Sequence, residues 1–306
     1  MPTKQITMSL GEVLWDMLPD GKALGGAPTN VAWHASQLGA EAHVVSAVGD
    51  DGLGREIADR LGAMNLDLSA VKTVAGKPTG TVDATLDSRG NATYVIHENV
   101  AWDFLPVTPE ILAMAGRTDA INYGSLAQRT ANGREAHYAI LDAVRPGAVR
   151  IFDINLRAPF VFEDVLDGGM RRASVVKMNR EELPILADMF GWASEPEAAI
   201  LQLFAAYPAV KHVIVTQGAE GAWWHDGKTL YKEPPKRYGE IEDTIGAGDS
   251  VTAASMMGLL KGWPVRTIAS TALEVAGFVC SSRGGTPKLP AELRGKFIQP
   301  VSCAGL

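Results

Sequence analysis

Arg150-Ile-Phe-Asp-Ile154, Ser174-Val-Val-Lys-Met178 and His212-Val-Ile-Val-Thr216 decide the fold class. In each run, largely apolar and β-branched residues occupy consecutive rather than alternate positions, the pattern of a strand covered on both faces. Helix-like stretches separate such runs along the chain. Gln5–Ser9, His43–Val48 and Ala120–Tyr123 read as further strands. Asn30–Leu38, Gly54–Met64, Glu135–Val144 and Pro196–Ala206 read as helices, the last with Pro196 in a first turn that tolerates it. The alternation predicts an α/β fold with a doubly wound, mainly parallel sheet.

One region breaks this rhythm. Thr79–Leu86 and Asn91–His97 alternate apolar and polar side chains around Asp87-Ser-Arg-Gly90, which predicts a hairpin turning in the Ser-Arg-Gly segment. Such alternation suits a sheet with one open face. Pro78–Leu105 therefore reads as part of a small accessory sheet or lid, with Trp15 and the Gly-rich segment Pro19–Pro28 supplying its other strands. There is no linker, repeat or low-complexity tract, so residues 1–306 form one domain, its lid drawn from about 12–29 and 78–107.

Composition narrows the function. The 306 residues carry 28 Lys+Arg against 35 Asp+Glu, a net charge of −7, which argues against a nucleic-acid binder. With 46% hydrophobic and 21% charged residues, disorder and fibrous repeats are excluded. Cys280 and Cys303 alone make no disulfide framework, and a reducing cytosol is the simpler expectation. Met1–Leu10 has no apolar signal region. The apolar runs Ser250–Leu260 and Thr267–Ser282 are interrupted by Lys261 and Glu274, short of the roughly 20 residues a membrane helix needs. The expectation is a cytoplasmic protein with no membrane partner.

Two segments carry chemistry. In Asp243-Thr-Ile-Gly-Ala-Gly-Asp249, residues Gly246, Ala247 and Gly248 are small enough for backbone amides to converge at the start of a helix that ends near Lys261-Gly262. Free amides and the helix dipole favour an anion there. Asp249 beside an anion needs a reason, and a general base for an attacking hydroxyl supplies one. A flexible glycine turn with Asp favouring a first helical turn is the plainer alternative. In Leu24-Gly-Gly-Ala-Pro-Thr-Asn30, Gly25 and Gly26 permit close approach of a ligand, and Asn30 can both donate and accept. A well-capped structural helix accounts for the same residues.

Gly25-Gly-Ala-Pro-Thr-Asn30 with Leu38-Gly-Ala40, Gly49-Asp-Asp-Gly-Leu-Gly54 and Asp243–Asp249 resemble the signature regions of the PfkB (ribokinase-like) carbohydrate kinases. The stretch Gly11–Ala40 is most similar to the fructokinase-like branch, and the resemblance runs in order from about Gly11 to Pro287. It implies a ribokinase-like, Rossmann-type core with a β-sheet lid, and an ATP-dependent sugar kinase using Mg²⁺. It also implies roles. Asp249 matches the catalytic base, and Gly246, Ala247 and Gly248 the anion hole. Asp16, Gly26 and Asn30 match sugar-contacting positions, and Arg157 an arginine near the sugar and transferred phosphate. Asn179-Arg-Glu-Glu182 resembles the NxxE motif, with Glu182 orienting water around Mg²⁺ and no direct protein ligand to the metal. Thr216, Gly218 and Gly221 resemble the nucleotide-contacting TxGxxG loop.

The absence of a G-x-x-x-x-G-K-[ST] segment excludes a P-loop mechanism, and the first strand is not followed by a dinucleotide fingerprint. Trp102 and Asp103 follow the hairpin and read equally as a sugar-stacking pair or as lid core. His34 and His97 read as packed or lid residues, and Met256-Met257 as core. One departure concerns a monovalent cation such as K⁺, which the resemblance places near Asp243. Lys288 follows Gly284-Gly-Thr-Pro287 where cation-binding relatives often carry a small hydroxyl residue, which puts potassium activation in question. The expected reaction is phosphorylation of fructose or a related ketose. The rivals are a kinase for ribose, a ketodeoxy sugar acid or a nucleoside, and a non-catalytic sugar or nucleotide sensor. An exposed lid edge offers a route to a homodimer.

Overall fold

The computed structural model describes residues 4–18, 21–86 and 92–298. A nine-stranded sheet is built from β1 (Ile6–Leu10), β4 (Glu41–Gly49), β5 (Val71–Val74), β8 (Ala120–Gly124), β9 (Val149–Asp153), β10 (Val175–Asn179), β11 (His212–Thr216), β12 (Ala222–His225) and β13 (Leu230–Glu233), in the order β13-β12-β11-β10-β9-β8-β1-β4-β5. The strands from β11 through to β5 are parallel, and β12 and β13 add an antiparallel edge. The second sheet, β3-β2-β6-β7, comprises β2 (Leu14–Leu18), β3 (Gly21–Gly25), β6 (Gly80–Leu86) and β7 (Ala92–Ile96). The turn expected at Ser-Arg-Gly lies outside the described residues, but the β6–β7 pairing on either side of it is antiparallel.

Consecutive apolar residues serve both faces of the large sheet. Val213 and Val215 of β11 enter one apolar layer and Ile214 the other, because successive side chains point to opposite sides. The first layer is completed by α3 (Pro109–Ala115), α4 (Ala131–Ala143), α5 (Glu163–Arg172), α6 (Glu182–Met189) and α7 (Pro196–Ala206). The second is completed by α1 (Ala27–Gln37), α2 (Gly52–Ala63), α8 (Ala247–Leu260), α9 (Val265–Cys280) and α10 (Ala291–Ile298).

Two contacts tie the small sheet to the core. Trp15 is buried and its indole N–H donates to Leu53 O at 3.1 Å, at the start of α2. Asp51 caps α2 through Gly54 N (2.7 Å) and also accepts from the Thr79 amide and hydroxyl at 2.8 and 2.6 Å. The Gly49–Gly54 segment thus grips the residue from which β6 departs. No helix among the described residues is long and apolar enough to cross a membrane.

Candidate active site

The chain leaves β1 for β4 on one side and enters β8 on the other, so strand order reverses between β1 and β8. In an open α/β sheet, the carboxyl ends of strands at such a reversal form the natural ligand crevice. Here they enclose a cavity of about 10 Å³, room for about one water, lined by Glu12, Asn122, Ser125, Asp153 and Asn155 among others.

The Asp243–Asp249 turn lies beside this crevice, its Asp249 carboxyl near enough for its charge to act on Glu12 and feel that of Asp153. Gly246 is left-handed (φ +73°) at the N-cap of α8, and a Cβ there would lie 2.5 Å from Gly285 O, so glycine is required twice over. The Ala247 amide turns back to Thr244 O at 3.3 Å, while the amides of Gly248 and Asp249 have no backbone acceptor among the described residues. Asp249 is the third residue of α8. Asn30 donates its side-chain N–H to Asp249 Oδ2 at 2.7 Å, joining the two chemistry-bearing segments. Burial pushes the Asp249 carboxyl up to about 6, aided by Asp153 and opposed by Asn30, Lys177 and Arg157. Burial likewise pushes Glu12, at the mouth of β1, up to about 7.

The α1 helix fixes the neighbouring chain. His34 Nε2–H donates to Gly285 O at 2.9 Å, and Trp33 and Gln37 both donate to Pro287 O at 3.1 Å. Burial lowers His34 to about 4, so it is neutral at pH 7. Asp16 lies half-buried on β2 against Gly25, where a Cβ would fall 2.3 Å from its Oδ2. Gly26 (φ +105°) is the N-cap of α1, where a Cβ would stand 2.4 Å from Glu12 O. Arg157 is exposed on the loop after β9, its charge acting on Glu12, Asp16 and Asp249.

At the ends of β10 and β11, Asn179 and Thr216 are neighbours in register. Asn179 Oδ1 accepts from the Glu182 amide (2.8 Å), and Glu182 Oε2 accepts from the Asn179 amide (2.8 Å), a reciprocal cap at the start of α6. Glu182 Oε1 also accepts from Leu156 N at 2.7 Å, tying this cap to the loop that carries Arg157. Gly218 (φ +58°) and Gly221 (φ +97°) bound a single 3₁₀ turn after β11.

Asp16, Gly26, Asn30, Arg157 and Asp249 therefore gather at the crevice, with Asn179, Glu182, Thr216, Gly218 and Gly221 along the adjoining strand ends. Trp102 and Asp103 do not join them. Asp103 is fully buried and receives a bidentate pair from Arg129 (both 2.9 Å), whose guanidinium stacks over Trp102 at 4.1 Å. Of the two readings of this pair, the geometry is that of lid core. His97 is exposed at the end of the hairpin, 2.8 Å from Asp83. Asp243 accepts from Ile245 N and Gly284 N (2.8 and 2.7 Å), and the Lys288 side chain is exposed.

A family model described as pfkB family carbohydrate kinase matches residues 20–292. The chain belongs to the pfkB family of carbohydrate kinases. A fructokinase of Klebsiella pneumoniae is 29% identical over 261 residues, spanning 82% of this chain and 83% of its own. Among solved structures, a Xylella fastidiosa fructokinase with bound ATP superposes with a TM-score of 0.82 at 20% identity, over 97% of this chain and 98% of that one. An Arabidopsis thaliana ribokinase complexed with ribose and ATP gives 0.79 at 19%, over 96% and 99%. The fold is ribokinase-like, and the protein is a sugar kinase.

Sequence reading of this pfkB kinase missed Glu12, Asp153 and Lys177 as members of the site's surroundings, while His34 is the packed residue it was expected to be. Lys177 sits inside the apolar run of β10 and Asp153 inside that of β9. An ionisable side chain in a strand covered on both faces was the available signal, since such a group must be paired.

Proposed function

We propose that the protein transfers the γ-phosphoryl group of ATP to a hydroxyl of a ketose, with fructose the first candidate. The observation that supports this most is the placement of Asp249: a carboxylate oriented by Asn30, raised by burial toward neutral pH, and at a turn where the Gly248 and Asp249 amides have no backbone acceptor among the described residues. A carboxylate tuned this way is fitted to take a proton. The similarity to the Klebsiella pneumoniae fructokinase supports the choice of acceptor.

In this mechanism Asp249 removes the proton of the acceptor hydroxyl as its oxygen attacks the γ-phosphorus, and ADP departs. The amides of Gly248 and Asp249 face the charge on the transferred group beside the Gly246 turn, and Arg157 approaches it from the loop after β9. Asp16, Gly26 and Asn30 hold the sugar, while the small sheet closes above it and excludes water. Thr216, Gly218 and Gly221 border the nucleotide. Mg²⁺, when bound, neutralises phosphate charge. The residues present fit it as an ion that keeps its waters, since oxygen donors line the strand ends but no three acidic, His or Cys side chains converge among the described residues. Glu182, whose two oxygens each already accept one backbone N–H and keep a lone pair, is the group read as orienting such waters. The enzyme is read as cytosolic, and the free edges β3 and β7 are where a second copy would pair.

ADP release with a panel of acceptors tests the proposal. Fructose is expected to give the highest kcat/KM, ahead of ribose, a ketodeoxy sugar acid and nucleosides. A preference for a non-ketose would overturn the substrate assignment, and tight sugar binding with no ADP release from any acceptor would favour a sensor.

A further inference from the structure

Lys177 is a buried cation beside the crevice. It enters from β10, is 5% exposed, and donates to Asp153 Oδ2 at 2.7 Å; Thr252 of α8 donates to the same oxygen at 3.0 Å. Gly248, whose amide lacks a backbone acceptor, lies directly above. A Cβ on Gly248 would stand 3.4 Å from Lys177 Nζ, so the ammonium rests against the turn that leads into Asp249. Arg157, the other nearby cation, is exposed.

A buried ammonium is costly unless paired, and one carboxylate would satisfy that need anywhere in the core. This pair instead joins the last residue of β9 to the middle of β10, in register with each other and among more acids than it neutralises. The groups facing Asp249 are Asn30 from α1, Asp153 from β9, Arg157 from the loop after β9, Lys177 from β10 and Glu12 from the connection after β1. Glu182 of α6 faces Lys177 in turn. Although burial works against it, Asp153, Asp249 and Glu182 hold the Lys177 ammonium charged, above its ordinary range.

We propose that Lys177 is a positioning residue for phosphoryl transfer, an ammonium anchored by Asp153 beneath Gly248 so that fixed positive charge faces the Asp249 carboxylate from inside the protein. It acts through Asp249. Its charge offsets Asp153 and lets a buried aspartate remain a usable base. This rests on the proposed role of Asp249, so the decisive readout does not require turnover.

The experiment follows the Asp249 carboxyl by ¹³C NMR in protein labelled at aspartate, assigned with Asp249→Asn, in the wild type, Lys177→Met and Lys177→Arg. Lys177→Met is expected to raise the Asp249 titration by about one unit or more, and Lys177→Arg to leave it within about half a unit. An unchanged titration in folded Lys177→Met overturns the proposal, because a purely structural pair would leave Asp249 where it was. If Lys177→Met does not fold, Asp153→Asn carries the test. It removes a neighbouring negative charge and frees the ammonium, so Asp249 should titrate lower; an unchanged or higher value overturns the proposal. In turnover, Lys177→Met should lower kcat about fivefold or more at pH 6 and much less at pH 8.5, with the acceptor KM within about threefold. Absence of turnover in the wild type with every acceptor would defeat the kinase reading, while the titrations would still decide the role of Lys177.

Discussion

Asp249 and Asn30 are 219 residues apart and share one hydrogen bond. With Asp249 raised from 3.8 to about 6, the carboxylate form predominates only above that pH. If Asp249 is the base, kcat/KM should fall about tenfold per unit below pH 6 and level off above it. Asn30 stabilises the charged form, so Asn30→Ala should move that acidic limb upward by about half a unit to one unit; a pH–rate profile in the variant checks both sign and size. An unmoved limb would mean that the Asn30 contact does not tune the base. Both residues were legible in the sequence because small residues, Asp and Asn clustered where helices begin. Their contact was not, since it depends on α1 and α8 packing side by side. Trp102 and Asp103 illustrate the converse. An aromatic beside an acid suits sugar binding, but the sequence does not reveal that Arg129, in the connection between β8 and α4, reaches back to take both oxygens.

Among the elements, the long helices and buried strands were legible because apolar periodicity extends over their whole length. Pro196–Ala206 and His212–Thr216 agree with the structure at both ends. The start of α1 was read at Asn30, three residues late, because its N-cap is Gly26, whose role rests on a positive φ rather than on a capping side chain. The short strands β5, β12 and β13 were missed; each has four residues, too few to establish a period. Gly49–Gly54 was the least informative of the quoted segments, yet Asp51 within it holds both the first turn of α2 and the departure of β6. Asp51→Ala should therefore cost about 2 kcal/mol and lower Tm by several degrees, as measured by thermal unfolding followed by circular dichroism. A change under about 0.5 kcal/mol would show that Thr79 is held by other means.

For the whole molecule, a net charge of −7 says little about the crevice, where the buried acids outnumber Lys177 and burial, not the overall balance, sets their charge. The buried groups also shape stability against pH. His34 and His137 are lowered to about 4 from 6.5, so the unfolded chain binds protons first and stability is lost as pH falls from 6.5 toward 4. Glu12 acts in the opposite direction. Raised from 4.5 to about 7, it keeps its proton in the folded state, so its contribution is present below pH 4.5 and lost as pH rises through 7. Glu12→Gln removes that dependence. Its stability relative to the wild type should improve between pH 5 and pH 8, by up to the order of 3 kcal/mol, in denaturant titrations at the two pH values. An equal difference at both pH values would show that Glu12 is not protonated in the folded protein.

The reading of this pfkB kinase as a base-assisted phosphotransferase stands or falls with Asp249. The direct measurement is fructose-dependent ADP release by wild type and Asp249→Asn at pH 8, with ATP and fructose binding measured on the same preparations. The expected result is retained binding of both ligands and a kcat lower by about 10²–10⁴-fold. Turnover within a few-fold of the wild type, with binding intact, would contradict a general-base role for Asp249.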